Sequence, residues 1–193
     1  GLRDYFQLEG LAYRIVPIKD KDGRVNTEAM YDNMMHKFKW GGIENPKVYL
    51  DENNLRMTTT FRHMFYRLVD ALMKEGKKDS AIAALDYCMK VIPSSTVPNS
   101  YVSLLLANQY LLLDQGDKAN VIISDLKKTS LQYLNWISAM DPSIRKKAMG
   151  EFEEYLGIFS EILRIEEKYD NESFEPDYEL LKKYSNIYKS YGK

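Results

Sequence analysis

The sequence predicts a mainly α protein, built as a stack of antiparallel helix pairs with a small mixed α/β segment at its N-terminus. Apolar residues recur at helical spacing over most of the 193-residue chain, and the apolar share of 45% is enough for a packed core. A helix–turn–helix pattern is followed by a second copy at a similar spacing, which favours stacked pairs. Strand-like patterns are confined to residues 1–57.

The N-terminal segment, residues 1–57, contains two strand patterns and one helix pattern. Phe6–Ile18 is rich in aromatic and β-branched residues and predicts a short strand that ends at Pro17 and a turn over residues 19–23. Lys47–Leu50 predicts a second short strand.

The helix pattern opens at Asn26-Thr27-Glu28 and stops at Gly41-Gly42, a typical C-terminal signal. Its apolar face consists of Met30, Met34 and Phe38. Asn53-Asn54 predicts the cap of the next helix.

Residues 58–131 predict two helical hairpins. The first helix shows its period at Phe61, Phe65, Leu68 and Leu72. After a break at Lys74–Lys78 the second helix shows Ala81, Leu85, Cys88 and Ile92, and Pro93 ends it.

The second hairpin repeats this arrangement. Leu106, Ala107 and Tyr110 precede a turn at Asp114–Asp117, and Ala119, Ile123 and Leu126 follow it. Tyr110 and Ala119 are nine residues apart, as are Leu72 and Ala81. The two copies resemble the tetratricopeptide repeat, with Val69 and Ser103 departing from its pattern and no closing Pro in the second copy.

Residues 132–193 predict further helices that cap the stack, so that the whole chain forms one compact domain. Asp141-Pro142-Ser143 is a helix start, with an acidic cap and Pro in the first turn. The apolar stripe that follows is Met149, Phe152, Leu156, Phe159 and Leu163. Pro176 predicts the start of a last helix whose face is Leu181, Tyr184, Tyr188 and Tyr191.

The charge is nearly balanced overall but uneven along the chain. With 27 basic and 28 acidic residues, the net charge of −1 provides no basic field and argues against a nucleic-acid partner. Residues 151–179 hold eleven acidic and two basic residues, whereas residues 180–193 hold four lysines and no acid. We expect the last two helices to match these charges internally, and a docking face is the alternative.

A second resemblance concerns the N-terminal strings at residues 8–18, 25–33, 38–42 and 49–52. They are similar to the C-terminal extramembrane region of a bacterial family of large multi-pass membrane proteins that resemble protein O-mannosyltransferases. The resemblance implies that this chain is the tail alone, on the periplasmic rather than the cytoplasmic side, with the glycosyl-transfer chemistry elsewhere. No segment is apolar enough for a membrane span, so we expect no membrane insertion by this fragment.

The sequence offers little catalytic chemistry, and we expect neither enzyme activity nor a cofactor or metal in this fragment. Nucleotide-binding and nucleophile-elbow motifs are missing. His36 and His63, the two histidines, lie in different predicted helices without a metal-ligand partner at helical spacing. The single cysteine, Cys88, occupies a small, helix-contacting repeat position that predicts a packing role.

The predicted function is therefore a non-catalytic protein-interaction or scaffolding domain, with a protein, a peptide or its own membrane module as partner. The resemblance to tetratricopeptide repeats implies a peptide groove lined by His63, Tyr66, Asp70, Met73, Tyr101, Leu104, Asn108 and Leu111. Asp70 sits among neutral residues of this set, so capture of a C-terminal carboxylate is not expected. Packing of the same residues against residues 1–57 or the last helix is the alternative.

A second surface predicts a different ligand. Trp40 precedes Gly41-Gly42, and the aromatic and polar residues near it could form a sugar platform; the set is Tyr31, Asn33, His36, Lys39 and Trp40. The alternative function is thus a glycan-binding helical-repeat module, similar to those of bacterial polysaccharide-utilisation systems. The competing interpretation of Trp40 is a packing anchor at a helix end.

Overall fold

The computed structural model describes residues 2–19, 24–169 and 174–191, and it confirms the mainly α fold with a small N-terminal sheet. The chain divides into two compact units, Gly1–Gln115 and Gly116–Lys193. The helices of the first unit are α1 (Thr27–Asp32), α2 (Glu52–Lys74), α3 (Lys78–Val91) and α4 (Tyr101–Leu112). Those of the second unit are α5 (Gly116–Ser138), α6 (Pro142–Arg145), α7 (Met149–Tyr169) and α8 (Phe174–Tyr191). The predicted division into three segments of a single domain stays a prediction.

The N-terminal sheet has the strand order β2-β1-β3, with strands β1 (Phe6–Leu8), β2 (Tyr13–Ile15) and β3 (Arg24–Val25). β1 pairs with β2 antiparallel and with β3 in parallel. Leu8 of β1 is buried, whereas all three residues of β2 are exposed at the sheet edge. The single strand predicted within residues 6–18 is therefore a two-stranded hairpin. The turn predicted over residues 19–23 lies outside the described residues, apart from Lys19.

The strand predicted at Lys47–Leu50 is wrong, because this segment forms turns. The Val48 N–H donates to the Asn45 carbonyl at 3.0 Å, and the Asn45 side chain accepts a bond from the Lys47 N–H. Asn followed by Pro46 favours such a turn over an extended strand. The turn leaves Tyr49 87% exposed.

Two helix caps in the N-terminal segment test the predicted boundaries. Asn26 caps α1 as predicted, since its side chain accepts a bond from the Ala29 N–H. The helix continues as a π-helical turn and ends at Lys37, before Gly41-Gly42. The predicted cap at Asn53-Asn54 is wrong: Asp51 caps α2 by accepting a bond from the Asn54 N–H at 2.8 Å. A carboxylate at the cap also complements the helix dipole.

The core of the first unit lies between α2 and α3, which pack together as predicted, with α4 against α2. The buried positions of this pair include Phe65, Leu68, Leu72, Ala81, Leu85 and Cys88. The second predicted pair, α4 and α5, falls on either side of the division between the units and stays a prediction.

The turns that end α2 and α4 have the same hydrogen-bond pattern. After α2, the Lys77 N–H donates to the Leu72 carbonyl at 2.9 Å, and Gly76 has a φ of +75°. After α4, the Gln115 N–H donates to the Tyr110 carbonyl at 2.9 Å. Here Asp114, with a φ of 59°, occupies the left-handed position. Both are Schellman motifs, and they begin at Leu72 and Tyr110, which the sequence pattern treats as equivalent.

We expect Gly76→Ala to lower the free energy of unfolding by about 1 kcal/mol, because a Cβ makes the left-handed conformation unfavourable. No described atom lies within 4 Å of a Cβ built at Gly76, so the cost is backbone strain alone. At the matching position, Asp114→Gly should raise the free energy of unfolding by about 0.5 kcal/mol. Urea titrations followed by circular dichroism measure both. Equal stability of the Gly76→Ala variant and the parent would contradict the expected strain.

The second unit packs α5 and α8 against α7. Its apolar core contains Leu134, Ile137, Phe152, Phe159, Leu163 and Tyr184, so the predicted stripe of α7 is confirmed. The Tyr184 hydroxyl donates to Asn135 Oδ1 at 2.7 Å and fixes α8 on α5. Asp141 caps α6 as predicted, and α8 begins at Phe174, two residues before the predicted Pro176.

The charges of α7 and α8 take part in ion pairs within each helix and with α5. Arg164 pairs with Glu161 and Lys182 with Glu179, each within its own helix. Lys127 of α5 supplies a cation to the buried acids of α7 and α8. The expected charge matching between the last two helices stays a prediction.

Candidate functional site

A groove beside α2 in the first unit brings together three of the predicted site residues. Its volume is about 590 Å³. Its described lining residues are Val25, His63, Tyr66, Arg67, Asp70, Ala71, Lys74 and Glu75. All but Val25 and Glu75 belong to α2, where spacings of three, four and seven residues place side chains on one helix face. We call this surface the α2 groove.

The stacked rings of His63 and Tyr66 provide a flat surface in the α2 groove. Their centroids are 5.9 Å apart and their planes are inclined by 16°. Partial burial lowers the pKa of His63, and the positive charge of Arg67 lowers it further. His63 is therefore mainly uncharged at neutral pH, and its two ring nitrogens can donate one hydrogen bond and accept another.

Charges of both signs surround these rings. Lys74 Nζ lies 2.8 Å from the Asp70 carboxylate, and Arg67 lines the same groove. The expectation that Asp70 sits among neutral residues is therefore wrong, because the helix period brings Arg67 and Lys74 onto its face. Lys77 lies 2.6 Å from Glu75 and lowers the pKa of that carboxyl, as the Thr27 hydroxyl does.

The N-terminal segment packs on the same helix and forms part of the groove. The Thr27 hydroxyl contacts both oxygens of Glu75, at 2.8 and 3.0 Å. The Arg67 guanidinium donates to the Tyr13 hydroxyl and lies 5.7 Å from the centre of that ring. These contacts are made by Arg67 and Glu75, which are not among the predicted groove residues, and an open groove remains beside them.

The other predicted groove residues are not part of the α2 groove's described lining. Leu104 is buried and Leu111 half-buried in α4, whereas Tyr101 and Asn108 are exposed. Met73 of α2 is half-buried. The Gln109 side chain donates to the Tyr66 carbonyl at 2.9 Å and holds α4 on α2.

Trp40 lies in an aromatic cluster, which favours packing over a sugar platform. Its ring centroid is 5.3 Å from that of Phe65, 5.9 Å from that of Phe61 and 6.1 Å from that of Phe38. Its indole Nε1 is buried, with no hydrogen-bond partner in the described part of the chain. These contacts fix the loop before α2 against the core of the first unit.

The other members of the predicted Trp40 surface have separate positions. The Asn33 side chain donates to the Glu9 carbonyl at 2.7 Å. The rings of Tyr31 and His36 meet edge to face at 6.0 Å, and Lys39 is exposed. Asn33 is the member that lines a shallow cavity of about 500 Å³ at the N-terminal sheet, with Glu9 and Arg14.

The second unit has an exposed aromatic surface that was not predicted from the sequence. Trp136 is 61% exposed and, with Tyr133 and Gln132, lines a shallow depression of about 230 Å³. The helical period of α5 indicates this exposure, because Trp136 does not share the helix face of the buried residues Leu134 and Ile137.

Cys88 has no nucleophilic character in this environment. It is fully buried, and burial raises the pKa of its thiol to about 12, although the charge of Arg62 opposes the shift. The thiolate, which is the reactive form, is therefore scarce at neutral pH.

Two general features also bear on function. Within residues 2–19, 24–169 and 174–191, no group of three or more His, Cys, Asp and Glu side chains is arranged to hold a metal ion. None of the helices in these ranges combines the length and apolar character needed to cross a membrane.

Comparison with protein-family models, curated proteins and solved structures finds no match to this chain. The α2 groove is the surface where residues expected to bind a partner, His63, Tyr66 and Asp70, meet around one open volume.

Proposed function

We propose that this chain is a non-catalytic protein-interaction domain that holds an extended peptide segment in the α2 groove. The observation that carries the proposal is the meeting of His63, Tyr66 and Asp70 in one groove. The resemblance to tetratricopeptide repeats implies a binding role for the same three residues. The matching turns after α2 and α4 support the same interpretation of the chain as helical repeats.

The groove suits a peptide of mixed and nearly neutral character. The rings of His63 and Tyr66 offer flat area to an apolar or planar side chain, with polar atoms for backbone groups. Charges of both signs line the groove, with Asp70 and Glu75 beside Arg67 and Lys74, which favours a peptide without a large net charge. Because Lys74 pairs with Asp70 and Arg67 bonds to Tyr13, a dedicated site for a C-terminal carboxylate is not expected.

We also propose that the domain belongs to a longer bacterial membrane protein related to glycosyltransferases, on its periplasmic side. Support comes from the resemblance of residues 8–18, 25–33, 38–42 and 49–52 to the extramembrane tail of that family. The partner peptide would then come from another protein or from the membrane module itself. Sequencing the reading frame upstream of Leu2 tests this: apolar membrane segments are expected, and a nearby start codon or signal peptide would refute it.

Binding of peptides selected from a phage-displayed random library tests the groove directly. We expect the purified chain to enrich peptides whose affinity falls about tenfold in Tyr66→Ala, since a central aromatic contact is typically worth more than 1 kcal/mol. Tyr49→Ala is the matched control, because Tyr49 is an exposed tyrosine that does not line the groove. Failure to enrich any peptide, or equal loss of affinity in both variants, would count against the proposal.

A further inference from the structure

Two aromatic rings of α5 form an open corner on the second unit. The centroids of Tyr133 and Trp136 are 6.1 Å apart and their planes are inclined by 82°. Tyr133 is 38% exposed and Trp136 is 61% exposed. With Gln132 they line the depression of about 230 Å³, which we call the α5 corner.

The corner is held in place by the core beneath it. The ring of Tyr155 from α7 stacks on Tyr133 with a centroid distance of 4.1 Å and an angle of 14°. Burial raises the pKa of Tyr155 to about 12, and the nearby Tyr133 contributes. Leu134 and Ile137, on the adjoining face of α5, are fully buried and fix the orientation of the helix. A ligand would therefore meet rings that are already positioned, which lowers the entropic cost of binding.

The observation that favours a binding site is the pair of adjacent exposed rings, since tryptophan is highly buried on average and Trp136 and Tyr133 are 61% and 38% exposed side by side. Turning α5 to cover Trp136 would expose Leu134 and Ile137, so packing within this helix cannot remove the ring from water. Exposed aromatic groups that the local core cannot cover commonly mark binding sites.

We propose that the α5 corner binds one pyranose ring of a neutral glycan. The apolar C–H face of a pyranose can stack on the indole of Trp136 while its edge meets the ring of Tyr133. The amide of Gln132 can donate to one sugar hydroxyl and accept from another. This site lies in the second unit and is independent of the peptide groove on α2.

The size and charge of the α5 corner favour a single neutral sugar ring. Its volume is below the 300–1,000 Å³ or so typical of pockets for larger small molecules, which suits a single sugar ring. The three described lining residues are uncharged, which favours a neutral ligand. Glu151 and Glu154 act on the neighbouring Tyr155 and disfavour an anionic sugar such as a uronic acid.

Saturation-transfer NMR with methyl glycosides of mannose, glucose and galactose tests the proposal, because it detects weak binding of small ligands. A single hexose in an open site should bind with a dissociation constant on the order of 1 mM. We expect saturation transfer to the pyranose C–H protons of at least one glycoside, reduced at least fivefold in Trp136→Ala. Trp136→Phe keeps a flat ring and should retain part of the transfer. Tyr49→Ala should match the parent chain.

Circular dichroism of Trp136→Ala should be unchanged, since more than half of this side chain already faces water. The proposal is overturned if none of the three glycosides receives saturation, or if Trp136→Ala binds as well as the parent chain. It is equally overturned if tetramethylammonium binds the corner and the glycosides do not, because the aromatic rings would then serve a cation. Loss of peptide binding in Trp136→Ala without any sugar binding would assign the corner to a protein partner instead.

Discussion

Replacing Arg62 by Met is expected to lower the free energy of unfolding by about 4 kcal/mol, a large part of the total for an ordinary domain. The Arg62 side chain is fully buried on the core face of α2. Its removal would take the Arg62 donors from three buried acceptors and from the partly buried Pro98 carbonyl, and each unsatisfied buried group costs about 1–3 kcal/mol.

The guanidinium of Arg62 ties α2 to the segment that follows α3. One terminal nitrogen donates to the carbonyls of Ile92 and Val97, at 2.9 and 2.6 Å. The other donates to the Pro98 carbonyl at 2.9 Å and the Ser103 hydroxyl at 3.1 Å. Burial lowers the pKa of Arg62, but an arginine stays protonated, so the carbonyl dipoles must compensate its charge. The planar fork can reach all four acceptors together, which a single ammonium group cannot.

Arg62→Lys should accordingly recover only part of the loss, leaving a deficit of about 2 kcal/mol. Arg56→Met is the matched control on the same helix, because Arg56 is exposed and bonds to Asn53; a change within about 0.5 kcal/mol is expected. Urea unfolding followed by circular dichroism measures the three variants. Hydrogen exchange at residues 92–103 should also speed up in Arg62→Lys. A stable Arg62→Met variant with unchanged exchange would show that the four bonds contribute nothing net.

The helices could be predicted from the sequence because their apolar residues repeat at a helical period. Phe65, Leu68 and Leu72 are buried as this period requires. Short elements were less predictable, since their structure depends on one or two hydrogen bonds. Val48 and Tyr49 have strand-forming side chains, yet the turn initiated by Asn45 decides their backbone conformation.

The buried charges were missed although the helix period gave a signal. Arg62 lies three residues before Phe65 and therefore on the same buried face of α2. Glu166 lies three residues after Leu163 on α7 and follows the same rule. What no local pattern could supply is their partners, because those come from distant segments whose positions depend on tertiary packing.

The candidate site was predictable only in part for a related reason. Spacing along α2 was enough to place His63, Tyr66 and Asp70 together. The environments of Trp40 and Trp136 were harder to predict from spacing along the chain. The polar and aromatic residues near Trp40 allowed either a sugar platform or a packing anchor, and three aromatic rings from the same unit surround it. Trp136 lies in a helix, and its position relative to the buried residues of that helix predicts that it is exposed.

Lys127→Met is expected to lower the free energy of unfolding by about 3 kcal/mol at pH 7, since it leaves buried carboxylates without a cation. Lys127 Nζ lies 2.9 Å from Glu166 of α7 and also contacts Asp177 of α8. The two carboxylate side chains are only 8% and 9% exposed, and that of Lys127 is 24% exposed. One lysine of α5 therefore joins three helices of the second unit.

The pKa shifts of this cluster make the loss depend on pH. Burial raises the pKa of Glu166 above its usual 4.5, and the neighbouring Asp177 raises it further, against the effect of Lys127. A raised carboxyl pKa means that the folded state binds more protons, so stability falls as pH rises from about 4.5 to the folded-state pKa. For Lys127, burial alone would lower the pKa, but the bonds to Asp177 and Glu166 outweigh it and raise that pKa. Its contribution is complete below pH 10.5 and is lost as pH rises through the folded-state pKa.

Lys127→Met removes the cation that the described structure places beside the two acids, so the pKa of Glu166 should rise further and the deficit of this variant should grow between about pH 4.5 and pH 8. Lys128→Met, an exposed lysine on the same helix, is the matched control and should change stability by less than about 0.5 kcal/mol at either pH. Glu166→Gln removes one of the two like charges and should flatten the pH dependence in this window. If Lys127→Met lowers the free energy of unfolding equally at about pH 4.5 and about pH 8, the loss comes from side-chain packing. If the stability loss of Lys127→Met grows with pH, then Lys127 holds α5, α7 and α8 together by compensating the charges of two buried carboxylates.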